Sequence, residues 1–558
     1  MPSAGRQVLR WRIFQPTIKM ETLPDHCGFM DGSAGVGMTS WRGARLLGIL
    51  TLGLICVSCG DQYRPVAIPI VPPPPDPESV HFVLVLSNNG IIDPGASSRL
   101  DVSGDTNIGV AQLGLGPAHA TLTSTAVRVY AANTLEDSVS SFSPNPGSTA
   151  TVVTTTSLPA GSHPVFVHTT ESGTVYVANF GNNTVAAIST TTNVVLNPLI
   201  AVGNQPVALA ETPDQKKLYA VNQGDGTVSA ISLVDRTVTQ TIATGTNPVW
   251  AVARSDSARI YVLNSASGTV SAIDTVTDSA VGSTSVGTGA NYMVYDGKLN
   301  RLYVTNPVAN TVTVLNVSVD PPAVLFVTPV SAGPLTVAVL PDGSRAYAVS
   351  SIKNPPCTSD PSDAQSCISS GVTVINASDG SVRKTIPLES TVNITAALQS
   401  GTNTTYTYTL ISGPALRPGM KIVVAGMADA GNNGTFTLAA ANAGTFTVGN
   451  SVGTTASSQS GTGAVVVEIS TTFPTGCDVN GLGIPGGVPG GVRFRVSSAA
   501  SAESTKVIVG KCDAGSTAII RTSDDTPVLD MPAPLGTVTP PNGGNALPQN
   551  PVFVLAGP

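Results

Sequence analysis

One short phrase recurs along this chain, and its recurrence limits the fold more than any other feature. It reads Val129-Tyr130-Ala131-Ala132-Asn133, then Val175-Tyr176-Val177-Ala178-Asn179, Leu218-Tyr219-Ala220-Val221-Asn222 and Ile260-Tyr261-Val262-Leu263-Asn264. Leu302-Tyr303-Val304-Thr305-Asn306 and Ala346-Tyr347-Ala348-Val349-Ser350 continue the series. The tyrosines are spaced by 46, 43, 42, 42 and 44 residues. A strand-built repeat with a period of roughly 40–50 residues marks propeller blades.

Each copy follows one grammar. A turn such as Pro213-Asp214 or Pro341-Asp342-Gly343 precedes the Tyr strand. Proline presets φ and glycine tolerates positive φ, so both suit tight turns. A short polar loop follows the Asn. Asn183-Thr184-Val185, Gly226-Thr227-Val228, Gly268-Thr269-Val270 or Asn310-Thr311-Val312 then opens a third strand. A fourth, Thr/Val-rich strand comes next, and a Gly-x-x-Pro step such as Gly203-Asn204-Gln205-Pro206 enters the next unit. Period-two alternation and β-branched residues predict strands. Four strands per repeat make one blade.

A seventh copy is worn: Lys506-Val507-Ile508-Val509-Gly510 keeps the strand pattern without the Tyr. An eighth is split across the termini. His81 to Asn89 supplies its Tyr-like strand, and the C-terminal Asn550-Pro551-Val552-Phe553-Val554-Leu555 echoes the innermost strand His163-Pro164-Val165-Phe166-Val167. The expectation is an all-β propeller of eight four-stranded blades, with seven as the alternative, closed by N- and C-terminal strands that protect one another's edges.

The Tyr-Val-x-Asn phrase and the following Asn-x-Thr-Val resemble the YVTN family of β-propeller repeat proteins. The resemblance covers about residues 120–390 well and 490–530 weakly. It implies an extracytoplasmic propeller, cell-surface or periplasmic, usually without a known activity. The Gly-His and Trp-Asp marks of WD repeats are absent.

The N-terminal region sets the expected compartment. Residues 1–37 read as an extension or a mis-called start, and 38–58 as a signal peptide. Arg42 and Arg45 form its positive end, and Leu46 to Val57 is an apolar core too short to span a bilayer comfortably. Cys56-Val57-Ser58-Cys59-Gly60 resembles a bacterial lipobox, with Cys56 departing from the usual Leu. The resemblance implies lipidation at Cys59 and anchoring in a membrane; an ordinary secretory signal is the alternative. Residues 59–79 form a Pro-rich tether, extended at about 3.1 Å per residue. Gly60, rather than Asp, favours the outer membrane if the host has one. Four further cysteines, Cys357, Cys367, Cys477 and Cys512, suit two disulfides in an oxidising compartment, Cys357–Cys367 and Cys477–Cys512.

Blades occupy 80–390 and, with the closing strand, 491–558; residues 391–490 interrupt them. Inside the interruption, about 395–468 reads as a small all-β module with a strong hairpin signal at Asn433-Gly434, followed by a Gly-rich connector from Gly481 to Gly491. A second insertion, Ser351 to Gly371, lengthens a loop between second and third strands. Strand parity places both on one face and the N-terminal tether on the other.

No catalytic constellation is legible. Gly481-Leu482-Gly483-Ile484-Pro485-Gly486 has dinucleotide spacing but no following helix, and Gly449-Asn450-Ser451-Val452-Gly453 matches a nucleophile elbow outside any strand–turn–helix. No Cys/His pairs suit zinc. His119, His163 and His168 fall near first strands and so near the channel, most simply as isolated side chains. The repeated asparagines read as turn caps and the tyrosines as inter-blade packing. Charged residues are 11% of the chain, net −7, with no basic cluster, which argues against nucleic acid. The expectation is therefore a non-enzymatic binding or scaffold protein with no cofactor or metal, meeting a protein or glycan partner through its insert-bearing face. A lactonase-like or quinoprotein-like enzyme and a carbohydrate-binding adhesin are the alternatives.

Overall fold

The computed structural model describes residues 82–88, 93–101, 106–144, 151–354, 367–468, 477, 496–534, 536 and 549–557. Cys59, the signal region, the tether, Cys357 and the Gly-rich connector lie outside them. Within them are thirty-eight β-strands and a single turn of 3-10 helix at Ala430–Asn432.

The strands form a propeller of four-stranded antiparallel sheets. In the Tyr219 unit, Pro206–Glu211 is innermost, followed outward by Lys217–Asn222, Thr227–Ser232 and Thr237–Ala243. Tyr219 sits opposite Ala210 on one side and Ala230 on the other. Seven such sheets stand free, which is the alternative count. Another four-strand set, Pro334–Val339, Arg345–Asn354, Cys367–Asn376 and Val382–Pro387, is continuous with the inserted module and forms no separate sheet. The ring is closed by pairing of the terminal segments. Phe82–Asn88 runs antiparallel to Asn550–Ala556, with Leu84 opposite Leu555.

The Tyr strands do not alternate. Lys217–Asn222 and its neighbour Thr227–Ser232 are buried at almost every position. Each middle strand lies between two neighbouring sheets, so both its faces are core, as in sheets covered on both sides. Outer strands such as Thr237–Ala243 are largely exposed, and clean alternation appears instead in the inserted module, as in Thr391–Ser400.

Neighbouring units are latched by the tyrosine hydroxyl. Tyr130 donates to Asn193 Oδ1 at 3.0 Å, Tyr219 to Asp278 Oδ1 at 2.6 Å and Tyr347 to Asp525 Oδ1 at 2.5 Å. All three acceptors belong to the turn between third and fourth strands of the next unit, and all three have left-handed φ, from 49° to 55°. The basic residue two before the Tyr adds to the latch. Lys217 Nζ reaches Asp278 Oδ2 at 2.7 Å, and Arg345 Nη1 reaches Asp525 Oδ1 at 2.7 Å. Where the turn carries Gly380 at this position, the hydroxyl of Tyr303 is buried with no acceptor.

The interruption is a closed barrel. Its strands pair in the order Gly461–Glu468, Thr391–Ser400, Asn403–Ser412, Thr445–Gly449, Gly434–Asn442 and Lys421–Ala425, which returns to Gly461–Glu468. Tyr406, Phe446, Ile422 and Val392 lie in its own core. The barrel is joined to the blade where Ile368 pairs with Val467, on the same face as the lengthened hairpin. Tyr406 and Phe446 stack at 5.0 Å and serve that core.

The latch gives a differential test. Tyr219→Phe should cost about 1–2 kcal/mol, the price of a buried hydrogen bond to a carboxylate. Tyr303→Phe should be neutral within about 0.5 kcal/mol, because it removes a hydroxyl with no acceptor. Equilibrium urea unfolding of both variants checks this; equal losses would refute the latch.

Candidate functional site

Four of the junctions between units share one close contact. There the second residue after the outer strand is a glycine that lies against the asparagine ending the next unit's Tyr strand, a place taken by Pro159 and Ser331 in two further junctions. A Cβ placed on Gly114 would lie 2.7 Å from Asn133 Nδ2, on Gly203 2.7 Å from Asn222 Nδ2, on Gly245 2.7 Å from Asn264 Cγ, and on Gly287 2.8 Å from Asn306 Nδ2. No side chain fits there. The asparagines meanwhile hold the following turn: Asn222 Nδ2 donates to Thr227 Oγ1 and Ser229 Oγ, and Asn264 Nδ2 to Thr269 Oγ1 and Ser271 Oγ. Asn133 and Asn179 bond the same way to Ser138 and Thr184. Asn306 instead caps through Oδ1, which accepts from the Val308 and Ala309 N–H groups.

The barrel-bearing junction departs at both positions. Leu388 accepts the place of Val202 or Val286, and Glu389 stands where those units have glycine. Across from it, Lys511 ends the worn strand Lys506–Lys511 where the other units have asparagine. Glycine and asparagine have together become carboxylate and ammonium. The chain between them leaves as the barrel, and a cavity of about 380 Å³ opens where the barrel meets the last unit.

Six charged side chains line this cavity. Glu389, Lys511, Asp513 and Asp530 come from the propeller side, Arg417 and Lys421 from the barrel. Lys511 Nζ lies 3.0 Å from Asp530 Oδ1, at an angle too oblique for a good hydrogen bond, and donates to the Leu388 carbonyl at 3.2 Å. Arg417 approaches Asp530 Oδ2 at 3.3 Å through both Nε and Nη2. The Asp530 side chain is 1% exposed and Lys511 4%, so the pair is a buried salt bridge, with Arg417 on the other carboxylate oxygen.

Glu389 differs from the rest. Its Oε2 accepts from the Ser370 N–H at 2.8 Å, but its Oε1 is shut away from solvent without a partner. The residue as a whole keeps some surface. Burial pushes its carboxyl above the ordinary range, opposed by Lys511 and the Ser370 bond and assisted by the like charge of Asp530. A carboxyl raised in this way beside cations, on the wall of a cavity, is the usual setting of an acid–base group. The Cys477–Cys512 disulfide, Cα–Cα 5.8 Å, fixes the turn that follows Lys511. Cys367 is also disulfide-bonded.

The other anticipated groups stay apart. His119 stacks on Phe166 at 3.8 Å and meets Phe553 at 4.4 Å, so aromatic rings fill that part of the channel. Phe166 leads on to Trp250 and Trp250 to Tyr292. His163 turns to the Thr134 carbonyl, and His168 Nε2 meets Glu211 Oε2 at 2.7 Å. Among the described residues no group of three or more His, Cys, Asp or Glu side chains could hold a metal. Ser451 lies in a bend between barrel strands.

No known family profile and no curated protein matches the chain. Solved structures do. Hydrazine synthase of Kuenenia stuttgartiensis is similar at 14% identity over 65% of this chain and 84% of that one, TM-score 0.37. A candidate 6-phosphogluconolactonase of Bacteroides uniformis is similar at 13% over 55% and 97%, TM-score 0.42. The periplasmic gluconolactonase PpgL of Pseudomonas aeruginosa is similar at 15% over 55% and 95%, TM-score 0.42. At these identities the likeness is one of fold. The expectation of a non-enzymatic protein is nonetheless corrected: gluconolactonases stand among the similar folds, so the propeller gives no ground for excluding an enzyme. The physical reason for the miss is local. Charged groups do converge, but at a broken junction rather than at an end of the channel.

Because the folded state raises the Glu389 pKa, it binds the proton more tightly than the unfolded chain. Stability from this group is full below the unfolded value and falls as pH rises through the raised one. Glu389→Gln should therefore melt higher than the parent, with the gap widening from pH 5 to pH 8 by a few degrees. A gap that shrinks with pH would contradict the assignment.

Proposed function

We propose that this protein is a propeller hydrolase of lactone-like esters, working in the cavity between the barrel and the last unit. One observation carries the reading: Glu389, a carboxyl with only one of its two oxygens hydrogen-bonded, lines the same cavity as Lys511 and Arg417. A volume of about 380 Å³ suits a sugar-sized molecule.

The chemistry follows from the groups. Ionised Glu389 takes a proton from water as the water oxygen attacks the lactone carbonyl. Charge on the carbonyl oxygen is met by the cation of Lys511. The ring C–O bond then breaks, and the proton held by Glu389 passes to the departing alkoxide, leaving a hydroxy acid. A raised pKa serves both transfers, because the group must hold a proton between two steps near neutral pH.

The test is turnover of γ- and δ-lactones, neutral and acidic, followed by proton release. Hydrolysis by the parent, and a fall in kcat of at least about 100-fold in Glu389→Gln, would support the reading. The parent's kcat should fall as pH drops through the raised Glu389 value. No turnover of any lactone, or an unaltered Glu389→Gln, would refute it.

The same reading places the protein in a bacterial cell envelope, anchored through a lipidated Cys59 as the lipobox resemblance implies. The Cys477–Cys512 disulfide supports an oxidising compartment. Metabolic labelling with a fatty acid should mark the parent and not Cys59→Ser; equal labelling would count against the anchor.

A further inference from the structure

The two walls of the cavity carry different charges. The propeller wall bears the carboxyls Glu389 and Asp513, while the barrel wall bears Arg417 and Lys421 at the two ends of one tight turn. In that turn the Met420 N–H donates to the Arg417 carbonyl. Between them Gly419 has a φ of +85°, and a Cβ there would meet nothing within 4 Å, so the turn faces open space.

Arg417 is the group of the buried trio that remains reachable. Its side chain is 22% exposed, against 4% for Lys511 and 1% for Asp530. It spends Nε and Nη2 on one oxygen of Asp530, both at long range. A guanidinium has five N–H donors in a planar fork, so its Nη1 edge is left to another acceptor. Among the described residues none bonds it. Asp530, the anion beside it, is engaged by Lys511 and by Arg417 Nε and Nη2, and does not occupy the Nη1 edge.

We infer that the substrate is an acidic lactone, one that carries a free carboxylate as well as its ring ester, and that Arg417 is the residue that receives this carboxylate. Lys421 at the far end of the turn adds to the field, and the ring ester then lies toward Glu389 and Lys511. The inference rests on the hydrolase reading of the same cavity. Its separate content is the substrate class and the specificity role of Arg417. Planar, two-point recognition favours Arg over Lys for a carboxylate.

The decisive comparison uses two lactones of one carbon skeleton. D-glucaro-1,4-lactone has a carboxylate where D-glucono-1,4-lactone has a hydroxymethyl group. Binding to the Glu389→Gln protein is measured by titration calorimetry, so no substrate is consumed. The acidic lactone should bind at least about tenfold more tightly, a 1.4 kcal/mol preference. Adding Arg417→Gln should abolish that preference while leaving the neutral lactone unchanged. Because Arg417→Gln leaves Asp530 with one partner fewer, the pair Arg417→Gln/Asp530→Asn is measured beside it, with melting temperatures as the folding control. Equal binding of the two lactones, or a preference that survives loss of Arg417, overturns the inference even if lactones are hydrolysed. Tight, Arg417-dependent binding of the acidic lactone by the parent without ring opening supports the binding role and overturns the hydrolase reading instead.

Discussion

Half of this propeller's ring, four junctions in all, is spaced by the contact of a glycine with an asparagine of the next unit. At these junctions the glycine just past the outer strand lets the next Tyr strand come so close that a methyl group would collide with the asparagine amide. That amide in turn ties down the start of the third strand. One pair of residues thus links the end of one unit to the turn of the next, and the repeat can vary elsewhere without disturbing the ring. At Glu389 and Lys511 both members of the pair are replaced by charged residues, and the junction is the one that carries the insert. The chain leaves as a barrel, and space for a small molecule opens in its place.

Buried charge in this chain comes in compensated groups, and the manner of compensation separates structure from chemistry. Asp278 and Asp525 sit at inter-unit turns and are met by a tyrosine hydroxyl and a basic side chain. Removing one partner from such a set is costly, but the intact set has nothing left over to react. Asp530 is paired with two cations, Lys511 and Arg417, although its Oδ1 has no well-formed hydrogen bond. In Glu389 one oxygen is bonded to Ser370 and the other has no partner. Glu389 shares that half-bonded state with other buried carboxyls but stands apart in lining the cavity with a carboxyl raised by burial, the setting that marks a candidate proton-transfer group.

Much of the architecture was legible because repetition multiplies weak signals. Single Val/Thr runs are ambiguous, but six tyrosines in register define the strands, the turns and the order of pairing. The closing pair, Phe82–Asn88 with Asn550–Ala556, was readable from the echo between Asn550-Pro551-Val552 and His163-Pro164-Val165. The continuous burial of the Tyr strands was not, since it depends on neighbours that lie on both faces. Nor was the barrel's closure, which joins Lys421–Ala425 to Gly461–Glu468 across the whole insert. The recurring Lys or Arg two before the tyrosine, as in Lys217, Arg259, Arg301 and Arg345, was present in the sequence all along. Its meaning appears only when the next unit's turn is set beside it.

The site was missed for a related reason. Reading a repeat directs attention to what recurs, whereas a site grafted on a repeat lies in what does not. Lys511 in an asparagine position and Glu389 in a glycine position are both visible in an alignment of the units, but the barrel separates them so widely that their pairing is not. Low average charge added to the error. Composition averages over a chain, and acid–base catalysis needs only two or three groups held together, so 11% charged residues sets no limit on one cavity. What matters is how such groups are distributed, and here six of them meet at the one junction where the glycine–asparagine contact has been exchanged for carboxylate and ammonium.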